Sequence, residues 1–287
     1  MDTKKENFYR LSPAAGSYQA ECLNSGKTIS IGDAQKLTPE GAYTTFRTYD
    51  KFFVLNLEKH FNRLEETAAL AGKQLQIDRK AAAVIITAYL ENSADSEYRI
   101  RLTLDLTFQP GDLYLVIEPL TTPSEDDYQL GIDVVSTEMH RTNPKAKLNK
   151  FLAQASEVKR QKGNRYEEIL MLDENKDILE GLSSNFYAII KGELFTADEG
   201  VLSGTTREFV LSLAEKTGIP VHFRPVSILE LRHLDEAFIT STSRSILPIR
   251  AIDGQRIGPT TPGPVTAKLI RAFKKNLKTA LEDIRLV

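Results

Sequence analysis

One carboxylate, Glu180, stands inside the run ILEGLSSNFYAII at residues 178–190, with apolar, β-forming residues on both sides of it. No other stretch constrains the fold as tightly. The flanking runs pack indoors as strands, and Gly181, Ser183, Ser184 and Asn185 follow the acid. A carboxylate beside such residues is costly to bury alone and needs a cationic or proton-bearing partner. No Lys or Arg lies within the run. Either the partner is a cation from elsewhere in the fold, making an ordinary salt bridge, or it is a ligand.

The rest of the chain supplies a mixed scaffold for that segment. Residues 1–38 are weakly patterned, with Gly16, Gly26 and Gly32 breaking short strand-like pieces. Aromatic and β-branched residues predict a strand over 43–49 and a hairpin mate over 52–57. Leu57, Phe61, Leu64, Ala68 and Ala71 form a helical stripe that ends near Gly72, and a second helix follows from Asp78, its N-cap, to Leu90. Strands are predicted over 97–108 and 113–119, which completes a first domain over 1–120. The polar, acidic, proline-bearing stretch from residue 121 makes 121–130 an interdomain linker.

A second domain, 131–287, opens with a strand at 132–136. A helix follows Pro144, carrying Leu148, Phe151, Leu152, Ala155 and Val158 and ending near Gly163. Short strands at 168–172 and 178–179 flank a turn at 174–176, and 186–190 with 194–195 make a hairpin across Lys191-Gly192. Helices are predicted at 206–217, with Thr206 as N-cap, at 226–234 and at 265–281. Strands fall at 237–240 and 247–252, the latter before an Asp253-Gly254 turn.

At 287 residues the chain has room for about two domains and a real core. Its 37 basic and 39 acidic residues leave a net charge of −2, which gives no basis for a nucleic-acid or membrane surface. The only cysteine, Cys22, excludes an intrachain disulfide framework and a cysteine metal cluster. The segment MDTKKENFYRL lacks an apolar signal core, and no apolar run reaches the roughly 18 residues of a membrane span. A soluble cytoplasmic protein is the expectation. His60, His140, His222 and His233 show no metal-ligand spacing and are expected as surface or packing residues.

Three further segments bear on Glu180: NPKAKLN at 143–149, SGTTR at 203–207 and TSTSRSILP at 240–248. The first supplies amines. The other two supply hydroxyls and backbone N–H groups beside a glycine or a helix start. An amine, an acid and a hydroxyl-lined anion cradle are what pyridoxal phosphate needs from a protein. On these residues the chain resembles the class IV, fold type IV, pyridoxal-phosphate-dependent aminotransferases, which include branched-chain and D-amino acid aminotransferases and aminodeoxychorismate lyase. The resemblance is strong over 145–266, moderate over 43–70 and poor before residue 40.

That resemblance implies an α+β, two-domain, D-amino acid aminotransferase-like fold, a small α/β domain joined to a larger mixed β domain that binds the cofactor. It implies pyridoxal 5'-phosphate as cofactor, an amino acid and a 2-oxo acid as substrates, and a homodimer. Two lysines are candidates for the Schiff base, and the spacing to Asn149 and Gly163 favours Lys145 over Lys147. Glu180 would keep the pyridine nitrogen protonated. Thr205 and Thr206 at a helix start, Ser241, Thr242 and Ser243, and Arg63 would hold the phosphate. Tyr43, Arg101 and Arg141 would line the substrate pocket.

The departures lie on the substrate side. In place of a glycine-rich segment with an Asp-Arg pair the chain has GDAQKLTPEGAYTTF; Thr44 replaces a Glu common after the aromatic, and Arg244 and Ser245 stand where a Glu is common. The run Tyr43-Thr44-Thr45 is compatible with the alternative, a lyase of the aminodeoxychorismate type releasing pyruvate, whereas GPVT at 263–266 is closer to aminotransferases. A relative that keeps the fold only for binding is disfavoured by the set of lysine, Glu180 and Thr242.

Overall fold

The computed structural model describes residues 6–14, 17–24, 26–163 and 166–287. The chain divides into two compact units, one made of 1–121, 146–152 and 280–287, the other of 122–145 and 153–279. The stretches 146–152 and 280–287 thus belong to the first unit, although they lie inside the span expected for the second domain.

The first unit is an antiparallel sheet backed by helices. Its elements are β1 (Phe8–Ala14), β2 (Ser17–Cys22), α1 (Ile31–Leu37), β3 (Gly41–Tyr49), β4 (Phe53–Leu55), α2 (Leu57–Leu70), α3 (Arg79–Glu91), β5 (Tyr98–Asp105) and β6 (Leu113–Pro119). With the late strand Leu281–Asp283 at one edge, the order runs Leu281–Asp283, β4, β3, β5, β6, β1, β2. Side chains alternate across a strand. One face therefore carries Ala42, Phe46, Ile100, Leu102, Leu104, Leu115 and Ile117, which share a core with Leu57, Phe61, Leu64 and Ala68 of α2 and Ala82, Ile86 and Leu90 of α3. The other face carries Tyr43 opposite Thr103, Thr45 opposite Arg101 and Arg47 opposite Arg99. On this face α1 packs Ile31 and Ala34 against Phe8, Tyr114 and Val116.

The short segment 147–149 adds to the start of β3. The Tyr43 N–H donates to the Lys147 carbonyl at 2.9 Å and the Asn149 N–H to the Gly41 carbonyl at 3.0 Å. Asn149 completes the joint, its Oδ1 accepting from the Gly41 N–H at 2.9 Å and its Nδ2 donating to the Pro39 carbonyl at 2.7 Å. A Cβ at Gly41 would run into the Leu104 carbonyl, so this approach needs glycine.

The second unit contains α4 (Glu125–Leu130), β7 (Ile132–Glu138), most of α5 (Lys150–Lys162), β8 (Ile169–Leu172), β9 (Asp177–Gly181), β10 (Asn185–Ile190), β11 (Glu193–Phe195), α6 (Thr205–Lys216), β12 (Val221–His222), β13 (Val226–Ser227), β14 (Glu236–Ser241), β15 (Ser245–Ile252), β16 (Gln255–Arg256) and α7 (Pro264–Leu277). The strands pair in the order β12, β11, β10, β14, β15, β7, β8, β9, β13. A further pairing of β9 with β10 closes β10, β14, β15, β7, β8 and β9 into a ring. The pair that closes it is Glu180 opposite Asn185. Leu170, Ile178, Phe186, Ile239 and Leu247 form the core of one face, and Phe209 of α6 meets Phe273 of α7 edge-on, ring centroids 5.1 Å apart.

Several boundaries differ from the sequence reading for identifiable reasons. Phe8–Ala14 and Ser17–Cys22 pair antiparallel, and Gly32 lies inside α1, whose N-cap Ser30 accepts from the Asp33 N–H; Gly16 lies outside the described residues. More than half of the expected linker is helix α4, because Ser124 and Asp127 form a reciprocal capping box. Leu148 precedes α5, its backbone being used in the bridge to Ala42. Gly204, not Thr206, is the N-cap of α6. Residues 226–234 divide into β13 and a 3-10 turn, and the last long helix stops at Leu277.

Candidate active site

In the second unit, Glu180 is 2% exposed and fully engaged with its surroundings. Oε1 accepts from Arg141 Nε at 2.7 Å, while Oε2 accepts from Asn185 Nδ2 and the Leu202 N–H, each at 3.2 Å. The cation missing from the run 178–190 is therefore Arg141, itself 6% exposed and 39 positions away in sequence. Arg141, expected to line the substrate pocket, is thus the ion-pair partner of Glu180. A buried carboxylate needs a counter-charge, and this guanidinium is committed to it.

Asn185 links the acid to the start of α6. Its Nδ2 also donates to the Leu202 carbonyl at 2.8 Å, and its side chain lies so close to Gly204 that a Cβ there would collide with Oδ1. Gly204 gives α6 no side-chain cap, and Thr205, Thr206 and Arg207 follow it, all buried. Arg207 donates to the Ala197 carbonyl at 2.8 Å and pairs with Asp198 at 3.2 Å. Unpaired N–H groups and the helix dipole make a twelve-residue helix start a favourable place for an anion.

Ser241, Thr242 and Ser243 form the turn between β14 and β15, half-buried. Ser241 Oγ accepts from Arg244 Nε at 3.0 Å. Arg244 is buried, and its Nη2 donates to Glu168 at 2.8 Å and to Ser183 Oγ at 2.6 Å. Burial alone would raise the Glu168 pKa; the Arg244 charge and the donors from Ile169, Ser184 and Ser183 bring it below the ordinary carboxylate value. Arg244 thus ties the serine-threonine turn to the Ser183-Ser184 turn that follows Glu180.

In the first unit, Tyr43 gathers two cations. Lys147 Nζ and the Arg101 guanidinium carbon each lie 5.1 Å from its ring centroid. Lys147 is half-buried, whereas Lys145 is exposed. Beneath Tyr43, on the core face, Thr44 Oγ1 and His60 Nδ1 are 2.7 Å apart, both residues buried. Burial first, then the charges of Arg63 and Lys147, hold His60 well below the usual histidine pKa, so its ring is neutral. Arg63 stands one turn after His60 on α2, half-buried. Among the described residues, Arg101 donates to two neutral groups, Thr45 Oγ1 and Gln35 Oε1, each at 3.0 Å.

The predicted residues therefore fall into two groups: Tyr43, Arg63 and Arg101, with the second lysine candidate Lys147, in the first unit, and Arg141, Lys145, Glu180, Thr205, Thr206, Ser241, Thr242 and Ser243 in the second. Sequence reasoning missed Asn185, Glu168 and Gln35. Asn185 follows Glu180 closely enough to have been tested as its cross-strand partner. Gln35 gave no signal, since its partner is 66 residues away.

The sequence profile of the Amino-transferase class IV family matches residues 41–252. The chain is a class IV aminotransferase. A Thermotoga maritima protein described as a probable branched-chain-amino-acid aminotransferase is 30% identical over 248 residues, covering 84% of this chain and 87% of that one. The D-alanine aminotransferase of Bacillus licheniformis is 28% identical over 281 residues, covering 89% and 91%. The solved branched-chain aminotransferase of Thermoproteus uzoniensis with norvaline superposes with a TM-score of 0.77 at 20% identity, over 97% of this chain and 99% of that one. The two-unit α+β architecture of this aminotransferase is thus the fold of type IV enzymes, and its reaction is pyridoxal-phosphate-dependent transamination between an amino acid and a 2-oxo acid.

Proposed function

We propose that this aminotransferase uses Lys147 as its reactive amine and acts on aliphatic α-amino acids. The observation that carries the choice of lysine is the half-buried position of Lys147 on Tyr43, against the exposed side chain of Lys145. Sequence spacing favours Lys145, whereas position in the fold supports Lys147. The aliphatic class is supported by the relatives, which are named for branched-chain amino acids and for D-alanine.

The residues present fit the cofactor. Glu180 is a buried acid held in place by Arg141, the kind of group that keeps a pyridine nitrogen protonated. The crowding at Gly204 brings Asn185 and the α6 start together beside that acid, which suits a group with a basic ring at one end and a dianion at the other. Pyridoxal phosphate, when bound, supplies a carbonyl carbon to carry the amino group and a ring that takes up the electron pair left at the substrate Cα.

The chain's own work follows from this. Lys147 would hold the cofactor and would serve as the base for the proton at the substrate Cα. Glu180 would keep a proton on the ring nitrogen, with Arg141 orienting it. Thr205, Thr206, Ser241, Thr242, Ser243 and Arg63 are the proposed phosphate ligands, with Ser241 oriented by Arg244. Tyr43 and Arg101 form the substrate side. Thr44 and Thr45, which fit the lyase pattern in sequence, bond to His60 and Arg101, so the lyase alternative draws no support from them. The homodimer expected from the resemblance belongs to this proposal and is checked by light scattering.

Borohydride reduction of the cofactor-loaded protein, followed by peptide mass mapping, tests the assignment. Modification on Lys147 is expected; modification on Lys145 overturns it. A donor screen with L- and D-amino acids tests the substrate class, the largest kcat/KM falling on an aliphatic side chain.

A further inference from the structure

Three arginines occupy the sheet face that carries Tyr43: Arg47 on β3, and Arg99 and Arg101 on β5. Two are paired with acids. Arg47 Nη2 donates to Glu97 at 2.6 Å, and Arg99 Nε donates to Glu118 at 2.8 Å. Arg101 has no carboxylate within salt-bridge range among the described residues. Glu118, an acid it senses through space, is already held by Arg99 and by the Ile31 N–H at 2.7 Å. The Arg101 head is desolvated, and this burial pulls its pKa down.

A desolvated guanidinium surrounded by neutral acceptors is unfavourable unless an anion completes it. The two acceptors here fix orientation without supplying charge. Thr45 takes Nε and Gln35 takes Nη1, each at 3.0 Å, and Nη2 makes no hydrogen bond with the described residues. The same guanidinium and the Lys147 amine both stand 5.1 Å from the Tyr43 ring centroid. An α-amino acid reacting at Lys147 therefore has a carboxylate receptor on the same aromatic platform.

We propose that Gln35 and Thr45 are positioning residues that hold Arg101 through neutral hydrogen bonds, so that its charge is satisfied by a carboxylate of the bound amino acid or 2-oxo acid. A glutamate at position 35 would turn the arrangement into a closed pair like Arg47 with Glu97. The amide is therefore the informative choice at this position: it matches glutamate in shape and differs in charge. This rests on the aminotransferase reading, and more narrowly on Lys147 as the reacting amine.

The test compares Gln35→Glu and Gln35→Leu with the unaltered, cofactor-loaded enzyme. Gln35 is half-exposed, and the thermal midpoint of each variant is checked against the parent. Gln35→Glu is expected to raise KM for the amino acid and the 2-oxo acid about 10- to 100-fold, the range of one charge-assisted hydrogen bond, with kcat moved only a few-fold. Gln35→Leu is expected to raise KM less than Gln35→Glu, although leucine is the poorer match in shape. A role in folding alone would reverse that order. A second readout is calorimetric titration with glutarate and with isovalerate, neither of which reacts. Weakening of both by Gln35→Glu assigns the receptor to the α-carboxylate, and weakening of glutarate alone assigns it to a side-chain carboxylate. An active parent enzyme with KM and both affinities unchanged in Gln35→Glu overturns the proposal; if that variant does not fold, an unchanged Gln35→Leu does so. A parent protein that does not transaminate, yet binds glutarate in a Gln35-dependent way, removes the reaction and leaves the receptor standing.

Discussion

The two units treat the same side chain in opposite ways. In the second, Arg141 and Arg244 are buried against buried acids, Glu180 at 2.7 Å and Glu168 at 2.8 Å. In the first, Arg101 is held by a hydroxyl and an amide. A buried pair completed within the protein is a structural joint, and removing one partner leaves the other charge stranded. A guanidinium held by neutral groups keeps its charge for something that arrives later. The second unit is therefore expected to report mutations as lost stability or lost cofactor function, and the first as lost turnover at Lys147 and lost affinity for substrate at Arg101.

The sharpest test of that division is Lys147→Ala, expected to lower turnover by at least about 10³-fold, within the range of lost acid–base and covalent catalysis, while Lys145→Ala stays within a few-fold; steady-state kinetics decide. Arg244→Met leaves Glu168 buried without its cation and is expected to cost about 3–5 kcal/mol in denaturant unfolding. Glu180→Gln is expected to lower kcat about 10²-fold while cofactor binding, followed by absorbance, is partly retained. An effect of Glu180→Gln on KM alone would break the comparison.

Acid separates the units as well. His60 is neutral in the folded state, its pKa well below the usual 6.5. The unfolded chain takes up that proton first, so stability falls as the pH drops below about 6.5, by up to about 1.4 kcal/mol per pH unit. Glu168 acts in a lower window. Its folded pKa lies beneath 4.5, so its contribution is intact above that value and is lost as the pH falls through the folded pKa. Thermal midpoints across this range should show the upper slope flattened in His60→Gln and the lower one in Glu168→Gln. The smallest expected effect is at Asp78, whose carboxylate accepts from the Ala81 N–H at 2.8 Å to cap α3; Asp78→Ala should cost about 1 kcal/mol without touching kinetics.

What the sequence disclosed follows the reach of each interaction. The stripe from Leu57 to Ala68, the Asp78 cap and the Lys191-Gly192 hairpin are set by neighbours within a few residues and emerged from periodicity and turn chemistry. Glu180 was recognisable as an acid in need of a partner, but its partner was not, since Arg141 reaches it across 39 residues. Sequence spacing and the fold point to different lysines, Lys145 and Lys147, for a related reason. Spacing counts residues along a helix, whereas here Asn149 leaves the helix to bond Gly41 and Pro39, which turns Lys147 toward Tyr43. Gln35 lay in a stretch that looked featureless because its hydrogen-bond partner, Arg101, lies three strands further on.

The first unit is stitched from three separate lengths of polypeptide, 1–121, 146–152 and 280–287. A recombination breakpoint at the acidic linker would therefore not yield two exchangeable modules. A chimera joined there would inherit Tyr43 from one parent and Lys147, with the Asn149 joint and the edge strand Leu281–Asp283, from the other. Drift in either parent's version of that seam is paid for by both, so the amine and the aromatic on which it rests are bound to be inherited together.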